Sequence, residues 1–305
     1  MTASPLPQAT FELTEPHLES TPIRIKDILI ATDFSEQATA AAKVAAGLAR
    51  TLDAKLHVLH AVPLQIYTAD STPMLQHVDV EIGQRSLHTY AAGIPHLKSL
   101  KHEEIVLSAT PTDAISMMVE EKKIGLVVVG SHGRSGLKKV VLGSVAESAV
   151  RHLHCPVLVV GPQCDQTRGS LKSILFAADM LYSSLRPAQY AAAIARQTGA
   201  SLTIAHVFPA SDARSAASEY RERVTHTLRQ LAPQDLYQER RIHIETAVGA
   251  PGEELLAIAA RARSGLIVMG VHEHGMMADH APWATIAQVV RTAHCPVLAV
   301  QAHIV

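Results

Sequence analysis

The chain has 305 residues, a length that at roughly 150 residues per domain divides into two units, each able to bury its own core. Its 27 basic and 28 acidic residues leave a net charge of −1, which excludes a bulk field for drawing in nucleic acid or an anionic membrane. Apolar residues make up 48% and charged ones 18%, below the ~25% of an average soluble protein, so much of the chain is packed away and it is no disordered polyelectrolyte.

Residues 1–22 are rich in Thr, Ser, Pro and Glu and lack the basic start and apolar core of a signal peptide; they read as a flexible tail on a cytoplasmic protein. No apolar run approaches the ~18 to 20 residues of a membrane span, which predicts a soluble chain. From residue 23 onward short apolar runs alternate with helix-like stretches, the pattern of βαβ units and a parallel sheet. Strands are predicted at Ile28–Thr32, Leu56–Val62, Glu104–Leu107, Leu126–Val129 and Val157–Val160. An alanine-rich helix over Ala38 to Ala49, with Ser35 as its N-cap, comes after the first strand, its small side chains letting it lie close on the sheet.

Pro162 to Ser170 has the composition of a linker, and after it the pattern starts again. Strands are predicted at Ser173–Ala177, Leu202–Val207, Ile242–Val248, Leu266–Met269 and Val297–Val300, with an alanine-rich helix over Ala188 to Ala195 capped by Ser184. The match is a true repeat. Gly130 and Cys155 reappear as Gly270 and Cys295, an offset of 140, whereas Asp33 reappears as Asp179, an offset of 146. The second copy is therefore six residues shorter somewhere between its second strand and the counterpart of residue 108. This divides the chain into a tail (1–22), a first domain (23–163) and a second domain (164–305).

Most strands are continuously apolar, as strands covered on both faces are. The third is different: Ile242, Ile244 and Thr246 alternate with His243 and Glu245, which suits an edge. The fifth strands, Val157–Val160 and Val297–Val300, are too apolar to be bare edges. The economical solution pairs them with each other, closing the chain into an internal pseudo-dimer.

No Walker loop and no dinucleotide fingerprint is present. The fourth strand of the first copy leads instead into Gly130-Ser131-His132-Gly133, nine residues, then Gly143-Ser144 opening a helix. Glycines permit close backbone approach, so successive N–H groups can form an anion-binding nest. Gly143-Ser144 then places free N–H groups, a dipole end and a hydroxyl toward a phosphate, and Arg134 and Lys138 add positive charge. A turn that simply needs glycine is the plain alternative. Asp33 ends the first strand, and if that strand neighbours the fourth, carboxylate and nest share one crevice.

Ala31-Thr32-Asp33-Phe34-Ser35, the strand end Leu59-His60-Ala61-Val62, the Gly-x-x-Gly-x9-Gly-Ser motif and the His-Cys-Pro-Val lead-in together resemble the universal stress protein family in its tandem two-domain form, over Ile23 to Val305. The resemblance implies an α/β fold of two tandem, doubly wound, five-stranded parallel sheets of order 3-2-1-4-5, and association through the fifth strands. It also implies ATP as ligand, adenine and ribose lying against Thr32, Asp33 and Ala61, and phosphates on Val129, Gly130, Gly133, Arg134, Gly143, Ser144 and Val145. A divalent cation, Mg²⁺ or Mn²⁺, commonly accompanies the nucleotide in such members.

The second copy departs from the motif. At the 140 offset Gly133 becomes Glu273, Gly143 becomes Trp283 and Ser144 becomes Ala284. Glu273 sets a carboxylate beside phosphates, and Trp283 sets a ring where backbone should approach the ligand. One competent nucleotide site per chain, in the first copy, is the expectation.

Other features read more plainly. Zinc ligation by His272, Glu273, His274 and His280 is one reading, a solvated loop the other. Cys155 and Cys295, each just before a buried strand, read as packing residues rather than Cys–His nucleophiles, and with Cys164 they form no Cys-x-x-Cys pair. His60 and His206 at second-strand ends read as structural, and Met117-Met118 and Met276-Met277 as packing or loop residues. The leading function is a cytoplasmic stress-response or regulatory protein that binds ATP in its first domain with slow or no hydrolysis, with a possible further homodimer. A nucleotide-free scaffold and a slow ATPase or adenylyl-transferring enzyme are the alternatives.

Overall fold

A computed structural model describes residues 23–62, 73–133, 142–165, 171–179, 184–212, 217–272 and 281–302. The first half runs β1 (Asp27–Ala31), α1 (Glu36–Leu52), β2 (Lys55–Val62), α2 (Pro73–Gly93), α3 (Pro95–Lys98), β3 (His102–Ser108), α4 (Pro111–Lys122), β4 (Leu126–Gly130), α5 (Ser144–His152) and β5 (Val157–Val160). The second runs β6 (Ser173–Ala177), α6 (Leu185–Thr198), β7 (Ser201–Pro209), α7 (Ser218–Gln230), α8 (Gln234–Gln238), β8 (Ile242–Gly249), α9 (Pro251–Arg261), β9 (Leu266–His272), α10 (Ala281–Thr292) and β10 (Val297–Ala302). All ten predicted strands are present, and each half is a doubly wound α/β unit of order 3-2-1-4-5.

The two units make one sheet, β3-β2-β1-β4-β5-β10-β9-β6-β7-β8. Every pairing within a half is parallel, and only β5 with β10 is antiparallel, Leu158 opposite Leu298. The apolar fifth strands thus cover each other, and the third strands, β3 and the alternating β8, are the outer edges. The six-residue difference between the copies lies between their second and third strands: Leu56 pairs with His102, and Leu202 pairs with Ile242.

Period-two geometry sends successive strand side chains to opposite faces. Ile28 and Ile30 join a core beneath α1, α2 and α6, whereas Leu29 joins a second core beneath α4, α5, α9 and α10. Both faces of the sheet are covered, which explains the continuous apolar strands and the low charge fraction. Alanine does what its size allows: Ala41, Ala42, Ala45 and Ala46 of α1 are all completely buried.

The helix caps separate the copies. The Ser35 hydroxyl accepts from the Ala38 N–H (3.2 Å), as expected of an N-cap. Ser184 stands at the N-cap of α6 but makes no capping bond; its backbone is helical rather than extended, and its hydroxyl donates to the Asp179 carboxylate and accepts from the Asp179 N–H (3.3 Å).

The seam between the halves is nearly symmetric, and where it is not, packing differs. Gly161 comes directly after β5, and a Cβ there would sit 1.9 Å from the Val290 carbonyl oxygen of α10. Its counterpart at the 140 offset is Gln301, which is buried and donates from Nε2 to the carbonyl of Arg151 (2.6 Å) at the end of α5. One side closes by direct backbone approach, the other by an inserted amide.

Candidate functional site

In this topology the chain leaves β1 and β4 toward opposite faces, and the carboxyl ends of those two neighbours border a crevice. It is a cavity of about 270 Å³.

The β1 side is held by local bonds. The Thr32 N–H donates to the Leu59 carbonyl (2.9 Å), the Thr32 hydroxyl accepts from the Phe34 N–H (3.0 Å), and the His60 Nδ1–H donates to the Thr32 carbonyl (2.9 Å). That last bond makes Nδ1 the protonated nitrogen, because a carbonyl only accepts. Phe34 has φ +67°, a left-handed conformation that is strained for a bulky residue, at a cost of order 1–3 kcal/mol. Its ring is held 4.2 Å from that of His60 and 5.1 Å from that of Tyr90, centroid to centroid. The kink turns the chain into α1 and leaves Asp33 beside the crevice, its Oδ1 accepting from the Ser35 N–H at 3.0 Å.

The β4 side is built on close approaches. The Ser131 N–H donates to the Val160 carbonyl (2.9 Å), and the Gly143 N–H donates to the Ser131 carbonyl (2.7 Å), which draws the two ends of the loop together. A Cβ on Gly133 would lie 2.7 Å from Asp33 Oδ2, and one on Gly143 would lie 3.2 Å from the Ser131 carbonyl oxygen. A side chain at Gly133 would displace the Asp33 carboxylate, and one at Gly143 would crowd the loop backbone. Gly143 caps α5 without a side-chain bond, unlike Ser35 before α1 and Thr110 before α4, so among the described residues no capping side chain occupies the first-turn N–H groups of α5. Ser144, Val145 and Ala146 of that turn line the cavity.

Of the expected site residues, Thr32, Asp33, Ala61, Val129, Gly130, Gly133, Gly143, Ser144 and Val145 all line this cavity. Arg134 and Lys138 lie outside the described residues. His60, His132 and Pro111 line it too and were not among the residues expected. His60 stands at a strand end and was read as structural; it both braces Thr32 and faces the cavity. His132 lies within the glycine motif itself. Pro111, at the start of α4, carries no local signal, since it arrives only through the crossover from β3.

The corresponding place in the second half is arranged differently. β9 continues through Gly270 to His272, two residues beyond the point where β4 stops. α10 begins at Ala281 with Pro282 behind it, three residues earlier than the counterpart of Ser144, and proline has no N–H to offer. The Trp283 ring was expected in the ligand's place; it packs instead under the Arg151 guanidinium of α5, 4.2 Å from Cζ to the ring centroid. It has been drawn to the seam by a cation–π contact and the core beneath α10. Burial pushes the His206 imidazole down, and its Nδ1–H donates to the Ala178 carbonyl (2.8 Å), the same brace that His60 supplies.

Burial raises the thiols of Cys155 and Cys164 to about 11 and that of Cys295 to about 12, which keeps them protonated and poorly nucleophilic. Met118 is buried in the core beneath α4, whereas its neighbour Met117 is exposed. Among the described residues no group of three or more His, Cys, Asp or Glu is placed to hold a metal ion. The His272 side chain, Glu273, His274, His280 and Met276-Met277 lie outside the described residues. No helix among the described residues is long and apolar enough to cross a membrane.

The family model for the universal stress proteins matches the chain twice, over residues 24–161 and 170–301. A universal stress protein of Methanocaldococcus jannaschii is 33% identical over 139 residues, 44% of this chain and 81% of that protein. One from Bacillus subtilis is 31% identical over 143 residues, 44% of this chain and 97% of that protein. Among solved structures, a universal stress protein from Archaeoglobus fulgidus covers 92% of this chain and 97% of its own, with a TM-score of 0.69 at 21% identity, a likeness of fold. With two family matches and the tandem sheet they occupy, the chain belongs to the universal stress protein family.

Proposed function

We propose that the first half, residues 23–163, binds ATP in the crevice between β1 and β4, and that the protein acts as a cytoplasmic stress-response or regulatory factor with slow or no hydrolysis. The observation that carries this reading is the juxtaposition of Asp33 with a glycine loop and an uncapped helix N-terminus. Gly133 comes so near Asp33 Oδ2 that a Cβ there would be at 2.7 Å, and the first turn of α5 opens onto the same cavity. A carboxylate suits ribose hydroxyls, and free N–H groups at the positive end of a helix suit phosphate. Gly130, Gly143 and Ser144 would hold phosphate oxygens, and Thr32, Asp33 and Ala61 the nucleoside. With no protein cage of metal ligands among the described residues, a divalent cation would be held through the phosphates. The second half, from residue 164, carries Glu273, Trp283 and Ala284 where the first has Gly133, Gly143 and Ser144, and on this reading serves as a structural partner.

The test is to denature the purified chain, analyse the released small molecules for ATP, ADP and AMP, and titrate nucleotide-free protein with ATP and Mg²⁺. One ATP per chain is expected, with turnover much slower than exchange. A chain that neither carries nor takes up adenine nucleotide overturns the reading and favours a scaffold.

A further inference from the structure

A second cavity, of about 460 Å³, lies on the opposite side of the sheet from α5 and α10, where the two halves meet between α1 and α6. Its floor is four leucines, one from each strand about the seam: Leu126, Leu158, Leu266 and Leu298. Ligand pockets of roughly this size, apolar with a few polar groups, favour such junctions.

Two features of α1 set it apart from a packing fault. Gly47 stands in the interior of a helix, where glycine weakens the helix, and a Cβ placed on it would meet nothing within 4 Å. No close approach demands a glycine there; its effect is to leave the hollow wider. One turn earlier Lys43 also lines the hollow, half-buried, and among the described residues none pairs with its ammonium group. The 146 offset puts Ala193 and Gln189 at the matching places of α6, so the open wall and the cation belong to α1 alone. His96 and His294 also border the hollow, with Asp165 as the one carboxylate among the described residues that line it; its N–H is tied to the His294 carbonyl at 3.0 Å.

We infer that this seam cavity is a binding site for an apolar monocarboxylate the size of a medium-chain fatty acid, its hydrocarbon on the leucine floor and its carboxylate on Lys43. The alkyl chain replaces water over an apolar surface, and the lysine stem reaches along that surface to keep its charge at the rim. The inference is independent of the nucleotide reading, since it concerns the other face of the sheet.

The test is isothermal titration of the full chain with decanoate, decan-1-ol and decylammonium, each below its micelle-forming concentration. Decanoate is expected to saturate at one per chain and to bind roughly tenfold tighter than decan-1-ol, the scale of a charge-assisted hydrogen bond. Lys43→Gln should remove that preference and leave decan-1-ol binding unchanged. Gly47→Leu should fill the cavity and abolish binding of both, with a urea midpoint at or above that of the parent chain. Failure of decanoate to saturate, equal uptake of decylammonium, or parental affinity in Gly47→Leu would each overturn the assignment. So would a chain that takes no decanoate but dimerises in light scattering until Gly47→Leu is introduced, since the hollow would then accept a second copy.

Discussion

The crevices of the two halves share a fold, a first-strand aspartate, a fourth-strand glycine and a histidine brace, yet among the described residues they differ in how the fourth strand ends and how the next helix begins. In the first, β4 stops at Gly130 and Gly133 approaches the Asp33 carboxylate closely; in the second, β9 runs on to His272 and α10 starts early with a proline. Asp33 keeps Oδ2 toward Gly133, while Asp179 accepts a bond from the Ser184 hydroxyl. A duplicated fold preserves what the sheet requires, namely strand pairing and cores. Loop geometry at the strand ends is free to diverge, because backbone bonds there are not part of the ladder.

The contrast can be broken most sharply by making the first crevice like the second. Gly143→Trp should lower ATP affinity by roughly a hundredfold or more, since the side chain starts at 3.2 Å from the Ser131 carbonyl oxygen and fills the approach to α5, a loss of about 3 kcal/mol. Calorimetric titration measures it, and unchanged affinity would remove the glycine loop from the site. Next is the seam. Gly161→Gln copies Gln301 onto the side where Val290 comes too close for any Cβ, and overpacking there should cost about 2–3 kcal/mol in urea unfolding. Full tolerance would mean that α10 can withdraw and that the close approach is incidental.

A smaller effect is expected from Gly133→Ala, which pushes Asp33 away from the loop and should weaken ATP binding about tenfold if Asp33 holds the ribose, close to the value of one charged hydrogen bond. Gln301→Leu removes the donor to the Arg151 carbonyl and should destabilise the chain by about 1 kcal/mol, read from the urea midpoint.

The smallest effect concerns the amino ends of the strands, where the halves also differ. Glu103 accepts from Lys55 (2.6 Å) and Lys122 (3.0 Å), and these hydrogen bonds hold its carboxyl down at about 2. His57, buried beside it, has Nε2 at 2.8 Å from Asp27 Oδ1. The second half has Ser173, Thr203 and His243 in these places and no carboxylate among them. Because the folded-state value is depressed, the contribution of Glu103 is complete above the ordinary glutamate range and is lost as the pH falls toward 2. Glu103→Gln should therefore lower the urea midpoint slightly at pH 7, the group being partly exposed and screened, and the difference should shrink progressively as the pH falls from the ordinary glutamate range toward 2. A difference that persisted undiminished at pH 2 would point to packing instead of charge.

Strand positions, the repeat, the buried fifth-strand edges and the glycine motif were all legible in the chain, because each rests on local rules: period-two apolar runs, a fixed offset and the spacing of glycines. Ser35 was a correct cap for the same reason. Ser184 also precedes its helix but does not cap it, because its backbone is already helical rather than extended and its hydroxyl turns back to Asp179, donating to the carboxylate and accepting from the backbone N–H. Trp283 was legible as a loss to the second crevice but not as a seam residue, because Arg151 lies 132 positions away and reaches it only once β5 and β10 have paired.

By itself, then, the sequence determined that there are two copies of one α/β unit, that their fifth strands must be covered, and that only the first carries the Gly-x-x-Gly-x9-Gly-Ser motif, because strand patterns and glycine spacing are set by nearby residues. The tertiary structure alone decided which atoms share the crevice: Asp33 against Gly133, His60 and Pro111 in the wall. It alone opened the second cavity under Gly47. Those are contacts between segments far apart along the chain, and they exist only after the sheet has set the distance between them.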